Sequence, residues 1–205
     1  MLYGICDLGY VEKDNALHLS QQLLQGGLEI LQLRAKGHPP ESLTDLAKDL
    51  KSLCEDYDAD FIVNDHVDLA IESDAHGLHL GQDDGDLASA KEAFGDDRIY
   101  GRSTHSLAQA QAALAEGFDY IGFGPLYPTP TKKGRPAIGL DEVSEMMATV
   151  GHQIPAYCIG GIKPDNLDEV LASGAKNIVI VSHLLQSPNS TEETKTLLAR
   201  LQPIA

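Results

Sequence analysis

Residues 29–64 read EILQLRAKGHPPESLTDLAKDLKSLCEDYDADFIVN, and this stretch decides the fold class. A short apolar run, Glu29–Arg34, is followed by a segment with helical spacing, Ser42–Tyr57, and then by a second apolar run, Asp60–Asn64. The order predicts a strand, a helix and a second strand. Because a helix that connects two strands of one sheet leaves them parallel, the stretch predicts a βαβ unit.

The same alternation continues in both directions along the chain. The strand-like runs are apolar throughout, as strands covered on both faces are, and strands do not follow one another without a helical segment between them. We therefore expect a closed (β/α)8 TIM barrel formed by a single domain, residues 1–205, with short helices, since the length is near the lower limit of about 200 residues for this fold. The predicted strands are Leu2–Cys6, Glu29–Arg34, Asp60–Asn64, Gly77–Leu80, Arg98–Arg102, Tyr120–Gly124, Pro155–Gly160 and Asn177–Ser182, and the predicted helices include Ala16–Leu24, Ser42–Tyr57, Leu87–Phe94, Leu107–Leu114 and Leu167–Leu171.

An open doubly wound sheet is the alternative α/β architecture. Such a sheet usually carries a glycine-rich phosphate-binding fingerprint after its first strand. Here the first strand runs into Cys6–Tyr10, which has no such fingerprint. The sequence therefore favours the barrel.

Composition limits the kind of partner. The 205 residues include 15 Lys and Arg against 31 Asp and Glu, a formal charge of −16, which disfavours binding to nucleic acid or to an anionic membrane surface. No apolar run reaches the roughly 18 to 20 residues of a membrane span, and Met1–Asp7 does not read as a signal peptide. We expect a cytoplasmic protein with small-molecule partners, and no pattern indicates its oligomeric state. The odd number of widely spaced cysteines predicts reduced, structural thiols: Cys6, Cys54 and Cys158.

The ends of the predicted strands carry the polar residues that matter for chemistry. In a (β/α)8 barrel the reacting groups lie at the carboxyl ends of the strands and in the loops that follow. Strand alternation places Gln32 and Arg34 on the same side of the second strand, with Lys36 in the loop beyond. Arg34 and Lys36 are fixed donors that suit phosphate oxygens.

Two carboxylates follow neighbouring strands. Asp65 and Asp84 are well placed to share one Mg²⁺, which takes one or two carboxylates and completes its shell with water and substrate phosphates. Two acids, one metal and two cations describe a diphosphate site. Thr129, Thr131 and Lys132 lie in the longest polar gap, and we expect them to close over the same diphosphate and to stabilise it as it leaves.

A second phosphate site is predicted near the last two strands. Backbone N–H groups around Gly160–Gly161 and Val181–Ser182 lie where such barrels usually bind phosphate, so the second substrate should carry a monophosphate.

Structural interpretations of the same residues stay open at this point. Gly160–Gly161 is also typical of a tight bend, and Gln32 of a residue that braces the barrel interior. Arg34 with Asp65, or Lys132 with Asp83, would make ordinary ion pairs at the rim.

The histidines do not form a recognisable metal motif. No HxH or HExxH spacing joins them, so a zinc site is not expected. His105, just after Ser103, fits either a general acid or base or a helix-entry residue that hydrogen-bonds the backbone.

Six ordered motifs, which extend over nearly the whole chain, resemble those of thiamine phosphate synthase. No single motif is specific, but their order and spacing together are. They are Gln32–Lys36, Val63–Asp65 with Asp68–Ala70, His79–Asp84, Gly101–His105, Gly122–Lys132 and Ile159–Ile162.

The resemblance implies an activity: a Mg²⁺-dependent transferase that joins 4-amino-5-hydroxymethyl-2-methylpyrimidine diphosphate to 4-methyl-5-(2-hydroxyethyl)thiazole phosphate and releases pyrophosphate. In the family the diphosphate departs first, and the thiazole nitrogen captures the remaining pyrimidine carbocation. The resemblance also implies roles for individual residues. By this resemblance magnesium is bound by Asp65 and Asp84, and the diphosphate by Asn64. The pyrimidine diphosphate is surrounded by Gln32, Arg34, Lys36, Ser103, Thr129, Thr131 and Lys132, of which the catalytic groups are Arg34, Lys36, Ser103 and Lys132. The thiazole phosphate is bound by Gly161, Val181 and Ser182.

Two other functions remain open. The related thiazole tautomerase shares the barrel and the Ser103–His105 segment, whose histidine transfers a proton there, but it typically lacks the second magnesium aspartate and the Thr-x-Thr-Lys loop. A non-catalytic regulator that retains the pocket is the other alternative. The sequence also departs from the family pattern at His183, where a small residue is usual after Ser182.

Overall fold

In a computed structural model that describes residues 1–131 and 136–201, eight parallel strands close into a barrel. Each strand pairs with the next one in the chain, and the last pairs with the first through Leu2 opposite Ile178 and Tyr3 opposite Val179. The predicted fold class is therefore confirmed. The strands are β1 Leu2–Asp7, β2 Ile30–Arg34, β3 Asp60–Asn64, β4 Gly77–Leu80, β5 Ile99–Thr104, β6 Tyr120–Phe123, β7 Ala156–Ile159 and β8 Asn177–Val179.

Helices follow the strands around the outside of the barrel. A 3-10 turn, Pro40–Ser42, precedes the second helix. In the described ranges the helices are α1 Lys13–Gln25, α2 Thr44–Asp56, α3 Val67–Glu72, α4 Leu87–Phe94, α5 Leu107–Glu116, α6 Val143–Thr149, α7 Leu167–Ala172, α8 Ser182–Leu185 and α9 Ser190–Leu201.

The predicted elements are all present, with one boundary that is wrong in a way that affects the site. Strand β8 ends at Val179, three residues earlier than predicted, because the backbone turns at Val181 and begins helix α8 at Ser182. The sequence prediction also missed helices such as α3 and α8, of six and four residues, because they are too short to show a full helical repeat.

The hydrophobic residues form two layers, as strand alternation requires. On β2, Leu31 packs outward against the helices, whereas Ile30 faces the barrel interior with Tyr3 and Ile62. The interior is thus filled by side chains and is not an open pore. The outer layer is the larger one, and deleting one of its fully buried rings, such as Phe61, is expected to cost about 3–5 kcal/mol.

The three cysteines lie inside these layers, unpaired and buried, as predicted. Burial raises the pKa of the Cys6 thiol to about 11 and those of Cys54 and Cys158 to about 12. The thiols are therefore protonated and unreactive near neutral pH. Across residues 1–131 and 136–201, no helix combines the length and the apolar character that crossing a membrane requires.

Candidate active site

A cavity of about 400 Å³ opens at the carboxyl ends of the strands, which we call the mouth of the barrel. Most of the residues predicted to bind substrate line it, so residues far apart in the chain are brought together as expected. Lys132 lies outside the described residues, and Lys36, Asp65 and Asp84 do not line the cavity, although Asn64, the residue before Asp65, does. The predicted residues that line it are Gln32, Arg34, Asn64, Ser103, Thr129, Thr131, Gly161, Val181 and Ser182.

Arg34, the cation predicted at the end of β2, is held by a residue that the sequence reasoning missed. Its Nη1 donates to Asp7 Oδ2 at 2.7 Å, and Asp7 Oδ1 accepts a hydrogen bond of 2.9 Å from the backbone N–H of Gly9. Asp7 is 1% exposed. The pairing of Arg34 with Asp65 considered from the sequence is wrong, because Asp7 and Arg34 lie opposite each other in the β1–β2 register. The Asp7–Arg34 pair could have been predicted by comparing the last residues of the adjacent strands β1 and β2.

The second cation and the two carboxylates form a cluster at the ends of β2, β3 and β4. Lys36 Nζ lies 2.9 Å from Asp65 Oδ2, and Asp84 Oδ2 accepts the backbone N–H of Gly81 at 2.9 Å. Asp65 adopts a left-handed backbone conformation, with φ of +68°, which is uncommon for a residue other than glycine and is often found at functional sites.

The two carboxylates influence each other. Burial raises the pKa of Asp84 above its usual value, and the neighbouring Asp65 carboxyl raises it further. A Cβ atom at Gly81 would lie 2.3 Å from Asp84 Oδ2 and 4.0 Å from Asp65 Oδ1, so the missing side chain leaves space beside both acids. Like charges held this close favour a shared cation.

This donor set fits Mg²⁺. Among the described residues no group of three or more His, Cys, Asp or Glu side chains is arranged to hold a metal ion. Magnesium does not need such a group, because it binds through one or two carboxylates and takes its other ligands from water and phosphate. Asp65 and Asp84 supply the two carboxylates.

The loop after β6 reaches the cavity through its two threonines. Thr129 Oγ1 donates to Thr131 Oγ1 at 3.2 Å, and Thr131 Oγ1 lies 2.8 Å from the hydroxyl of Tyr10. Tyr10, in the loop after β1, is a second residue that the sequence reasoning missed. It connects two loops across the mouth and so helps to hold the threonines at the cavity.

The two glycines of the predicted second phosphate site are also required by the backbone. Gly160 and Gly161 have φ of +101° and +66°, and a Cβ at Gly161 would lie 2.9 Å from the carbonyl oxygen of Pro128. Glycine is therefore needed there for a tight bend and a close approach of the loop after β6. Val181 and Ser182 line the cavity from the entry of α8, not from a strand end.

The two histidines singled out from the sequence have different positions. His105 lines the cavity; its Nδ1 contacts the carbonyl oxygen of Gly124, and its backbone N–H donates to Gln109 Oε1 at 2.8 Å. These contacts match the helix-entry interpretation. His183 Nε2 lies 2.8 Å from Glu193 Oε1 and so faces helix α9.

The floor of the cavity contains a chain of buried polar side chains. His79 Nε2 lies 2.9 Å from Ser103 Oγ, and its Nδ1 lies 3.0 Å from the Tyr120 hydroxyl. The Tyr120 hydroxyl lies 2.9 Å from that of Tyr3, which accepts a 2.9 Å hydrogen bond from Gln32 Nε2. Gln32 thus braces the barrel interior, as the structural interpretation of the sequence has it, and it also lines the cavity.

Comparison with known proteins gives a consistent result. The family model described as thiamine monophosphate synthase matches residues 2–184. A thiamine-phosphate synthase of Lawsonia intracellularis is 43% identical over 191 residues, which cover 92% of this chain and 86% of that protein. A thiamine phosphate pyrophosphorylase from Pyrococcus furiosus superposes with a TM-score of 0.86 at 33% identity and covers 98% of this chain and 94% of that one.

Some relatives are considerably longer. A thiamine-phosphate synthase of Synechocystis sp. (strain ATCC 27184 / PCC 6803 / Kazusa) is 43% identical over 192 residues, which cover 94% of this chain but 55% of the relative. The chain therefore spans about half the length of the Synechocystis and Nostoc relatives it matches.

Proposed function

The chain belongs to the thiamine monophosphate synthase family, and from this premise we propose that it is a thiamine phosphate synthase. The proposed substrates are 4-amino-5-hydroxymethyl-2-methylpyrimidine diphosphate and 4-methyl-5-(2-hydroxyethyl)thiazole phosphate. The products are thiamine phosphate and pyrophosphate. The observation that carries the proposal is that Arg34 lines the cavity at the end of β2, while Lys36, Asp65 and Asp84 form one charged cluster just beyond the ends of β2, β3 and β4.

The reaction asks the site to stabilise a leaving group. The C–O bond between the pyrimidine methylene carbon and the diphosphate breaks, and its electron pair stays on the diphosphate oxygen. The thiazole nitrogen then donates its lone pair to the methylene carbon, which forms the new C–N bond. Because negative charge grows on the diphosphate, donors fixed beforehand at its oxygens lower the barrier.

The cationic and polar residues of the site would supply that stabilisation. Arg34, whose orientation is fixed by Asp7, would offer its remaining N–H groups to the diphosphate, and Lys36, which is paired with Asp65, would offer a second cation. Thr129 and Thr131 donate from the loop after β6, and Lys132 is proposed to act with them. Asn64 adds an amide donor near the end of β3.

Asp65 and Asp84 would hold Mg²⁺ when the diphosphate is bound. The ion would neutralise part of the charge on the departing pyrophosphate. Lys36, whose Nζ lies 2.9 Å from Asp65 Oδ2, would donate to the phosphate oxygens beside these carboxylates.

The pyrimidine and the thiazole would occupy opposite parts of the cavity. Gln32 and Ser103 lie at the floor and would bind the pyrimidine ring, with Ser103 close to the reacting centre. Gly161, Val181 and Ser182 would bind the phosphate of the thiazole at the other side. Both substrates are charged esters that do not cross a bilayer unaided, which supports a cytoplasmic location.

The experiment is an assay of the purified protein with both substrates, with and without Mg²⁺. Thiamine phosphate and pyrophosphate formed in equal amounts, and only with the metal, would support the proposal. Turnover of the thiazole carboxylate tautomer without any pyrimidine substrate would identify a tautomerase instead. Binding of substrates without any turnover would identify a regulator.

A further inference from the structure

The floor of the cavity is a chain of hydrogen bonds that starts at Gln32. From there it passes through the hydroxyls of Tyr3 and Tyr120 to His79 Nδ1, with donor–acceptor distances of 2.9, 2.9 and 3.0 Å. All four residues are buried, with exposures between 2% and 7%. Buried polar groups of this kind hold a fixed arrangement, because any break leaves a donor or an acceptor unpaired away from water.

The direction of the chain follows from its first link, in which the Gln32 amide nitrogen donates to the Tyr3 hydroxyl oxygen. Burial raises the pKa values of Tyr3 and Tyr120 far above their ordinary range, so each hydroxyl keeps its one proton. The Tyr3 oxygen accepts from Gln32, and the arrangement in which Tyr3 donates to Tyr120, and Tyr120 to His79, gives each hydroxyl proton an acceptor. With Tyr3 and Tyr120 donating away from it in this arrangement, Gln32 supplies the donor at the start of the chain.

The hydrogen bond to Tyr3 determines which atom of the Gln32 amide is left for the cavity. With its amide nitrogen directed at Tyr3, the amide oxygen has no hydrogen bond to any side chain or backbone group in residues 1–131 and 136–201. Within those residues Ser20 Oγ is the fully enclosed polar side-chain atom that lacks a partner, so the Gln32 oxygen is not enclosed and reaches the cavity that Gln32 lines. Gln32 is 2% exposed, and an unpaired acceptor on such a buried residue is costly, so a bound ligand should place a hydrogen-bond donor against the amide oxygen.

We propose that Tyr3 and Tyr120 are positioning residues that fix the amide of Gln32 with its oxygen toward the substrate, and so select a pyrimidine that carries an amino group over one that carries an oxo group. The inference rests on the proposed function, because it takes the pyrimidine diphosphate as the ligand at Gln32. An amino group donates to the amide oxygen, whereas an oxo group would place two acceptors against each other.

The chain provides a matched control on the same floor. Tyr157 packs edge-on against Tyr3 and Tyr120, with ring centroids 5.1 and 5.7 Å away, yet its hydroxyl contacts the sulfur of Met1 at 3.1 Å and stands outside the hydrogen-bond chain. Tyr157→Phe thus removes one buried hydroxyl from the same aromatic cluster without touching Gln32. Any effect of packing or stability alone should appear in this variant as well.

The test compares the 4-amino pyrimidine diphosphate with its 4-oxo counterpart in the wild type and in Tyr3→Phe, Tyr120→Phe and Tyr157→Phe. The measured quantity is the ratio of kcat/KM for the two diphosphates, with products quantified by mass spectrometry. The ratio of dissociation constants for the two pyrimidine monophosphates, measured by calorimetry, gives a second readout that needs no turnover. The KM for the thiazole phosphate serves as an internal reference.

We expect the wild type and Tyr157→Phe to prefer the amine by roughly 10- to 100-fold, the effect of one unsatisfied buried polar group. In Tyr3→Phe the amide nitrogen loses its acceptor and the amide can rotate, so the preference should fall to within about 3-fold. Tyr120→Phe releases the Tyr3 proton for donation to a rotated Gln32, so its preference should fall in the same direction. The KM for the thiazole phosphate should stay within about 2-fold throughout.

Three results would overturn the inference: an oxo preference in the wild type, an unchanged ratio in both Tyr3→Phe and Tyr120→Phe, or an equal loss in Tyr157→Phe. A wild type that makes no thiamine phosphate would refute the proposed function, and the inference would fall with it. A wild type that makes thiamine phosphate while the ratios stay constant would refute the inference alone. If one of the two variants does not fold, the other still decides the outcome.

Discussion

Replacing Asp7 by Asn tests the idea that the orientation of Arg34 is set by a buried ion pair. The carboxylate is 2% exposed and the guanidinium 12%, at an N–O distance of 2.7 Å. Removing one partner of a buried pair typically costs about 3–5 kcal/mol, because the other charge is left uncompensated. Arg34 borders the cavity, where water can reach it, so we expect the lower end, about 3 kcal/mol.

For a domain of this size 1 kcal/mol changes Tm by about 2–4 °C, so Asp7→Asn should lower Tm by about 6–12 °C. The matched control is Asp74→Asn, which breaks the pair between Arg98 and Asp74. That pair is equally short, at 2.6 Å, but Asp74 is 68% exposed. An exposed pair contributes less than about 1 kcal/mol, so Tm should fall by no more than about 4 °C.

A second measurement connects this pair to substrate binding. In Asp7→Asn the charge of Arg34 lacks its partner, and an anion at the mouth can replace the missing carboxylate. Adding pyrophosphate with Mg²⁺ should therefore raise Tm more in Asp7→Asn than in the wild type. Calorimetry of both variants with and without pyrophosphate provides the comparison. Equal losses of Tm in Asp7→Asn and Asp74→Asn, together with equal stabilisation by pyrophosphate, would refute the reasoning.

Three further predictions address other parts of the molecule. Asp84→Asn should lower kcat by orders of magnitude while Tm changes little; near-normal kcat would contradict the role of Asp84 as a magnesium ligand. His105→Ala should lower the rate of condensation by less than about 10-fold, because its contacts are those of a helix-entry residue, and a complete loss in the steady-state assay would return it to the catalytic machinery. The thiol pKa values, about 11 for Cys6 and about 12 for Cys54 and Cys158, lie above the unfolded value of 9.0. Above pH 9 the folded state therefore binds more protons than the unfolded state. The free energy of unfolding, measured by urea titration, should fall from pH 9 toward pH 11. Replacing Cys158 by Ala should reduce that slope, and an unchanged slope would contradict the assignment.

The architecture could be predicted from the sequence because strands buried on both faces are continuous apolar runs. The run at Asp60–Asn64 is a strand with the predicted bounds, since a continuous apolar run next to a helical repeat has few alternatives. The end of β8 was not readable. The residues from Ile178 to Val181 stay apolar through the point where the backbone turns, so composition does not mark where the strand stops.

The residues at the mouth could be predicted where they lie at the carboxyl ends of predicted strands. Gln32, Arg34 and Ser103 line one cavity because parallel strands place their carboxyl ends at one edge. Pairing between side chains was less accessible: the sequence does not indicate that Arg34 is bound by Asp7, because that choice depends on the register of two strands.

The floor was the least predictable part of the site. Tyr3 and Tyr120 read as ordinary strand residues, and their hydroxyl contact joins positions 117 residues apart. Local patterns carry no information about which two hydroxyls meet inside a closed barrel.

The amino terminus lies behind the floor, at the opposite end from the mouth. The Met1 ammonium donates to the carbonyl oxygen of Lys176 at 3.4 Å, and its sulfur contacts the Tyr157 hydroxyl. A surface tether or a fluorescent label attached at Met1 would consequently lie at the end of the barrel opposite the cavity. Immobilised in that orientation, each molecule would present its entrance to the bulk solution, so sensor-based measurements of ligand capture would not suffer from steric shielding by the support.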